Sequence, residues 1–118
     1  VMMIVAIQGT SNFNDYNVFL RAMGVALSSL PEGDTEFTVA SAGPLKINQM
    51  GLEFVNVSER SLKARGIKAK LIKVPPKWIK DNIHNVGYFA YFSKPKETIS
   101  ELVDFAEAKD IEVGVYRY

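Results

Sequence analysis

The 118-residue chain contains no cysteine and a single histidine, His84. Without thiols it has no disulfide, no thiolate nucleophile and no cysteine-ligated zinc. One imidazole cannot build a multi-histidine metal centre. Charge of one sign is also missing, because 14 basic side chains face 13 acidic ones for a formal net charge of +1. That balance supplies no whole-molecule drive toward nucleic acid or a membrane and leaves only local patches to consider. Long hydrophobic runs are absent too. The opening Val1-Met2-Met3-Ile4-Val5-Ala6-Ile7 falls well short of the roughly 20 residues a spanning helix needs. It lacks the basic flank and small-residue cleavage site of a signal peptide and reads as a buried first strand. Together these absences predict a cytoplasmic protein with no structural metal and no resident cofactor.

What is present is an ordinary globular composition, 47% hydrophobic and 23% charged, in a chain long enough to bury a core. No repeat, low-complexity tract or linker interrupts it, so residues 1–118 read as one domain. Residues 2–8 are continuously apolar and close on Gly9, as a strand buried on both faces would be. Asp15 suits an N-cap, and Phe19, Met23, Ala26 and Leu30 follow at helical spacing. Pro31-Glu32-Gly33-Asp34 is turn chemistry. Glu36 to Ala42 reads as a second strand. Ile47, Met50, Phe54, Val57 or Ser58, and Leu62 mark a second helix that stops at Gly66. Lys68 to Val74 is a third strand ended by Pro75-Pro76, and residues 77–86 form a short turn or helical connection. Val86 to Phe92 is a fourth strand. A helix is expected from about Glu97 to Lys109, with Ile99, Leu102, Val103 and Ala106 facing inward, and a last strand from Glu112 to Tyr116.

Strands alternating with crossover segments predict an α/β fold, a Rossmann-like three-layer sandwich around a mainly parallel five-stranded sheet. The first and fourth strands are the most uniformly apolar and belong in the middle. The third and fifth carry Lys68, Lys70, Lys73, Glu112 and Arg117 and belong at the edges. The order 3-2-1-4-5 satisfies both demands. Its topological switch lies between strands one and four, where ligands of open α/β sheets bind beyond the carboxyl ends of the strands.

Three loops are expected at that switch point. Gly9-Thr10-Ser11-Asn12 leaves strand one, where Gly9 permits a tight turn and the hydroxyl and amide groups suit an anion beside a helix start. Turn and cap chemistry alone accounts for the same residues. Ser41-Ala42-Gly43-Pro44 leaves strand two and matches no Walker pattern. Ser93-Lys94-Pro95-Lys96 leaves strand four, with two lysines that either attract a phosphate or stand in solvent. His84, between Asn82 and Asn85 in sequence neighbourhood, has no Ser/Asp pattern beside it and reads as a surface residue. Trp78 reads as packing over the sheet edge, with base stacking the sharper alternative. Lys63, Arg65, Lys68, Lys70, Lys73, Lys77 and Lys80 form the one biased stretch. Lysines guard an edge strand against aggregation without needing a partner, and nucleic-acid contact is the alternative.

The run Val5-Ala6-Ile7-Gln8-Gly9-Thr10-Ser11-Asn12-Phe13-Asn14-Asp15-Tyr16 resembles the V-x-G-S-R-x-F-x-D-Y motif of the SLOG superfamily. These are Rossmann-like proteins related to the Lonely Guy phosphoribohydrolases and DNA-processing protein A, with a branch common in bacteria and phages. Thr38-Val39-Ala40-Ser41-Ala42-Gly43 stands where that family has V-V-S-G-G-A. Pro75-Pro76-Lys77-Trp78 is similar to its short segment ending in tryptophan, and Val86 to Thr98 to its fourth strand and following loop. Ser11 replaces the family's arginine, Ala42 the first glycine of its Gly-Gly pair, and Asn48 its acidic residue. Lys46 and Ile47 stand for small residues, and the R-N pair is missing.

The resemblance implies a nucleotide or nucleotide-derived ligand, held by Gly9, Thr10, Ser11, Asn12, Ser41, Gly43, Ser93 and Lys94. The departures remove a charge-assisted phosphate contact and close backbone approach, implying a non-catalytic or weakly catalytic member. No catalytic residue and no metal ligand is assigned. The alternative is a degenerate interaction or assembly protein of phage accessory or structural type with no small-molecule ligand, in which Tyr116 and Tyr118 offer contact surface and the chain self-assembles or meets a protein partner. DNA binding by analogy with DNA-processing protein A is disfavoured by the balanced charge.

Overall fold

The apolar opening run becomes β1 (Met2–Gly9), the central strand of the computed structural model, which describes residues 2–117. Val1 and Tyr118 lie outside the described residues. The chain continues through α1 (Tyr16–Ser28), β2 (Glu36–Ser41), α2 (Leu45–Ala64), β3 (Lys68–Lys73) and α3 (Pro76–Asp81). A 3-10 turn (Ile83–Asn85), β4 (Val86–Ser93), α4 (Glu101–Ala108) and β5 (Val113–Arg117) complete it. The five strands form one sheet in the order β3-β2-β1-β4-β5. All four pairings are parallel, with Val5 opposite Val39 and Tyr88, and Gly9 opposite Phe92. The predicted order holds because uniformly apolar strands can be buried on both faces, and charged ones only at an edge.

Alternation along β1 sends its side chains to two separate cores. Met3, Val5 and Ile7 pack with α1 and α2, where Phe19, Met23, Ile47 and Phe54 meet Phe37, Val39 and Phe92. Ile4 and Ala6 pack on the other side with Ile79 of α3, Phe89, Tyr91, and Leu102, Val103 and Ala106 of α4. The sheet is therefore the middle of three layers. Phe92 is fully buried and anchors the carboxyl end of the sheet, with ring centroids 5.0 Å from Phe13, 5.2 Å from Phe19 and 5.5 Å from Tyr116. Burial of a phenylalanine of this kind contributes roughly 1.5–3 kcal/mol.

Local chemistry sets the helix ends. Asp15 caps α1, its Oδ1 accepting from the Val18 N–H at 3.1 Å. Leu30 falls beyond α1 but still packs against the first core. In α2 the face carrying Ile47, Met50, Phe54 and Leu62 is buried as predicted, whereas Val57 is exposed. Pro76 opens α3 at a position where no N–H is needed.

The fourth helix departs from expectation. It begins at Glu101, capped by the Ser100 side chain, which accepts from the Leu102 N–H at 3.2 Å. Residues 94–100 are loop, and Lys96 has φ 71°, outside the helical region. Ile99 consequently stays on the surface instead of facing the core. Tyr116 is also not a free contact surface: it is half-buried, and its hydroxyl lies 2.6 Å from that of Tyr88. Burial first, and then this hydrogen bond, push the Tyr88 phenol up. None of the helices formed by the described residues is long and apolar enough to cross a membrane.

Candidate functional site at the switch point

The carboxyl ends of β1 and β4 run side by side before the chain leaves them for opposite faces of the sheet. Gly9 stands at this parting. A Cβ there would lie 2.6 Å from the Phe92 carbonyl oxygen and 3.1 Å from Ile47 Cδ1. Glycine is thus required by the close approach of β4 and α2, not by the tight turn the sequence suggested. Its N–H donates to the Gly43 carbonyl at 3.2 Å, and the Thr10 N–H donates to the Phe92 carbonyl at 2.8 Å. Both of these backbone donors are spent on holding the loops together.

Of the eight residues expected at the mouth, Thr10, Asn12 and Lys94 come together around a carboxylate that the sequence reading assigned to a helix start. Glu97 Oε1 accepts from Thr10 Oγ1 at 2.9 Å and from the Lys94 N–H at 2.7 Å. With the Asn12 amide turned so that its nitrogen faces them, that nitrogen lies 3.1 Å from Glu97 Oε2 and 3.1 Å from Thr10 Oγ1. The Lys94 N–H holds the Glu97 carboxyl below the usual carboxylate range, with Thr10, Asn12 and the Lys94 charge adding to it against a smaller desolvation. Ser11 is exposed beside this cluster.

Ser41 and Gly43 serve the opposite side. Ser41 is buried, and its hydroxyl bonds to Asn48 Oδ1 on α2 and accepts from the Gly43 N–H at 3.3 Å. Gly43 sits at φ 85° before a cis bond to Pro44. Ser93 is fully buried, and alternation from Phe89 and Tyr91 directs its side chain toward the α3 and α4 layer. Its hydroxyl has no hydrogen-bond partner among the described residues, and neither has Gln8 Oε1, which alternation places on the same side. Unpaired buried polar atoms are uncommon in folded chains. The predicted residues therefore divide among three places: the Glu97 cluster, the Ser41–Asn48 contact and the buried Ser93 on the α3 and α4 side.

Sequence reasoning missed Glu97, Asn48 and Gln8. Asn48 had a signal, since it stands where an acidic residue was expected. Gln8 had one too, as the lone polar residue inside β1. On the α1 and α2 side a cleft of about 240 Å³ lies between Asn14, Tyr16, Lys46, Gln49, Met50 and Glu53. The Tyr16 hydroxyl is buried and has no partner among the described residues, and burial followed by the Glu53 charge raises its phenol. A larger cleft, about 670 Å³, lies away from the switch point between α2 and β3, over Val55, Ile67, Ala69 and Leu71. His84 is exposed, and Trp78 packs half-buried on the second core near Ile72 and Val74.

No family model matches the chain, and no curated protein and no solved structure matches it either.

Proposed function

We propose that the chain binds a nucleotide or nucleotide-derived ligand at the mouth between β1 and β4, with little or no catalysis. The observation that carries this reading is the convergence of Thr10, Asn12 and Lys94 on one oxyanion. Two loops contribute, and the Thr10 and Glu97 side chains that meet there are 87 positions apart in sequence. A phosphate offers acceptor oxygens to the same kind of donors, and the Lys94 ammonium adds the charge an anion needs. Ser11 stands in solvent beside the cluster, within the same loop. Gln8 Oε1 and the Ser93 hydroxyl are buried polar atoms without a partner among the described residues, on the α3 and α4 side of the sheet. The SLOG-like motif running from Val5 to Tyr16 supports the same ligand class, and a cytoplasmic location, in a host cell if the chain is phage-encoded, goes with it.

The test is a thermal-shift screen of mono- and dinucleotides, nicotinamide and ADP-ribose derivatives. A ligand that binds only the folded chain raises its melting temperature, by linkage, at concentrations above its Kd. Absence of a shift with every compound at millimolar concentration would sink the reading.

A second reading, as an interaction or assembly protein, is favoured by one observation. β3 carries three lysines along its edge, whereas β5 carries one charged residue, Arg117 at its last position, and Val115 on it is 40% exposed. A thinly guarded edge is open to strand addition. Light scattering after size-exclusion chromatography tests it, and a clean monomer at high concentration would count against self-assembly.

A further inference from the structure

Glu97 is an acid that follows two lysines, Lys94 and Lys96, on a surface loop, free by position to point at water. Its carboxylate instead reaches across to Thr10 and takes the Lys94 N–H and the Asn12 amide as well. Helix capping does not account for this, because α4 starts four positions later on its own Ser100 cap. Nor does it serve an easy backbone path. Lys96, immediately before it, holds φ 71°, which costs a non-glycine residue energy. Lys96 is the third position of a turn closed by the Glu97 N–H on the Lys94 carbonyl at 3.3 Å, and the side chain of that turn's last residue is the one that reaches the opposite loop.

We propose that Glu97 is an internal occupant of the anion position, so that a ligand's phosphate binds by displacing this side chain and releasing loop 94–100. The inference rests on the nucleotide reading above and adds its regulation. One acceptor group fills the donor set at a time, so the closed loop competes with every anionic ligand. Affinity for a phosphate is then reduced by the fraction of molecules with Glu97 seated. Removing the carboxylate removes the competitor and a like charge together.

The experiment titrates 5′-AMP, and separately inorganic phosphate, into three forms of the full chain by calorimetry: unmodified, Glu97→Ala, and the Thr10→Val/Glu97→Ala double variant. Glu97→Ala is expected to bind 5′-AMP at least tenfold more tightly than the unmodified chain. The double variant should fall back to the unmodified level or below. Inorganic phosphate should follow the same ranking if the phosphate is what Glu97 imitates. Glu97→Gln, which keeps the size of the side chain without its charge, replaces Glu97→Ala should the latter fail to fold, with the same expectation. Equal affinities for the unmodified chain and the Glu97 variant would overturn the internal occupant while leaving the nucleotide reading intact. A gain that survives Thr10→Val would overturn it as well, since binding would then lie elsewhere. Binding by no form would overturn both.

Discussion

After β2 the chain reaches α2 through Ala42, Gly43 and Pro44, and Ala42 and Gly43 are both tied to β1. The Ala42 N–H donates to the Ile7 carbonyl at 2.9 Å, the Gly43 carbonyl accepts from Gly9, and Ser41 is locked to Asn48. After β4 the chain needs residues 94–100 to reach α4, and they project from the layer as exposed loop held through Glu97. One wall of the mouth is therefore an extension of the core, and the other is a surface loop fastened by one side chain. The contrast locates adaptability. Buried polar contacts with fixed partners resist rearrangement, whereas a carboxylate at the solvent margin exchanges its donors for water at little cost. Mutations that attack the common base of both walls should therefore cost the most, and mutations at Glu97 the least.

The largest effect is expected at Phe92, on which Phe13, Phe19 and Tyr116 pack. Phe92→Ala should destabilise the chain by about 3–5 kcal/mol, through lost burial and the cavity left between α1 and the sheet. Urea unfolding followed by circular dichroism measures this. A loss below about 1 kcal/mol would mean the base of the mouth is not a rigid platform.

Gly9→Ala comes next. The added methyl would meet the Phe92 carbonyl, a backbone atom that cannot swing aside, together with Ile47 Cδ1. Overpacking of this kind costs roughly 1–3 kcal/mol and should also weaken the bond from the Thr10 N–H to the Phe92 carbonyl. Amide hydrogen exchange at Thr10 would show the second effect directly. Ser41→Ala follows at about 1–2 kcal/mol, because it leaves the buried Gly43 N–H and the half-buried Asn48 Oδ1 without their shared partner. Asn48→Ala should cost about as much as Ser41→Ala, and the double variant little more than either, if the two act as one contact.

How much of this could be read from the sequence differs between the two walls. Strand identity and order were legible because they depend on composition alone: Val86 to Phe92 has no charge, while Lys68 to Lys73 has three. Asp15 as a cap was legible because capping is local. Gly9 was placed at the right position for the wrong reason, since the approach of Phe92 is a contact between strands far apart in sequence. Glu97 was misread because Ile99, Leu102, Val103 and Ala106 share a helical period that runs back past Ser100. The Ser100 cap starts the helix after Ile99, and Glu97 is turned instead to its partner on the other loop, Thr10. The exposed wall was the illegible one because its geometry depends on that long-range contact.

The smallest effect, and the one that separates the two walls most cleanly, is a pH dependence. Glu97 titrates below the usual carboxylate range because its ionised form accepts from the Lys94 N–H, Thr10 and Asn12. A carboxyl whose folded value is depressed stabilises the fold fully above its unfolded value. That contribution is lost as pH falls through the folded value. The unmodified chain should therefore lose stability on acidification across the carboxylate range, and Glu97→Gln should lose less over the same interval. Near neutral pH the variant should be the less stable of the two by a small margin, and the margin should close in acid. Ser41→Ala, whose contact holds no titrating group, should lie below the unmodified chain by the same amount at every pH in that interval. Thermal unfolding followed between pH 7 and the acid limit of the folded state, at roughly 0.1 M salt to keep surface charges screened, measures all three curves. Parallel curves for the unmodified chain and Glu97→Gln would mean that the carboxylate is not what fastens the outer wall, whereas converging curves would identify the loop after β4 as the one held by ionisation and the loop after β2 as the one held by packing.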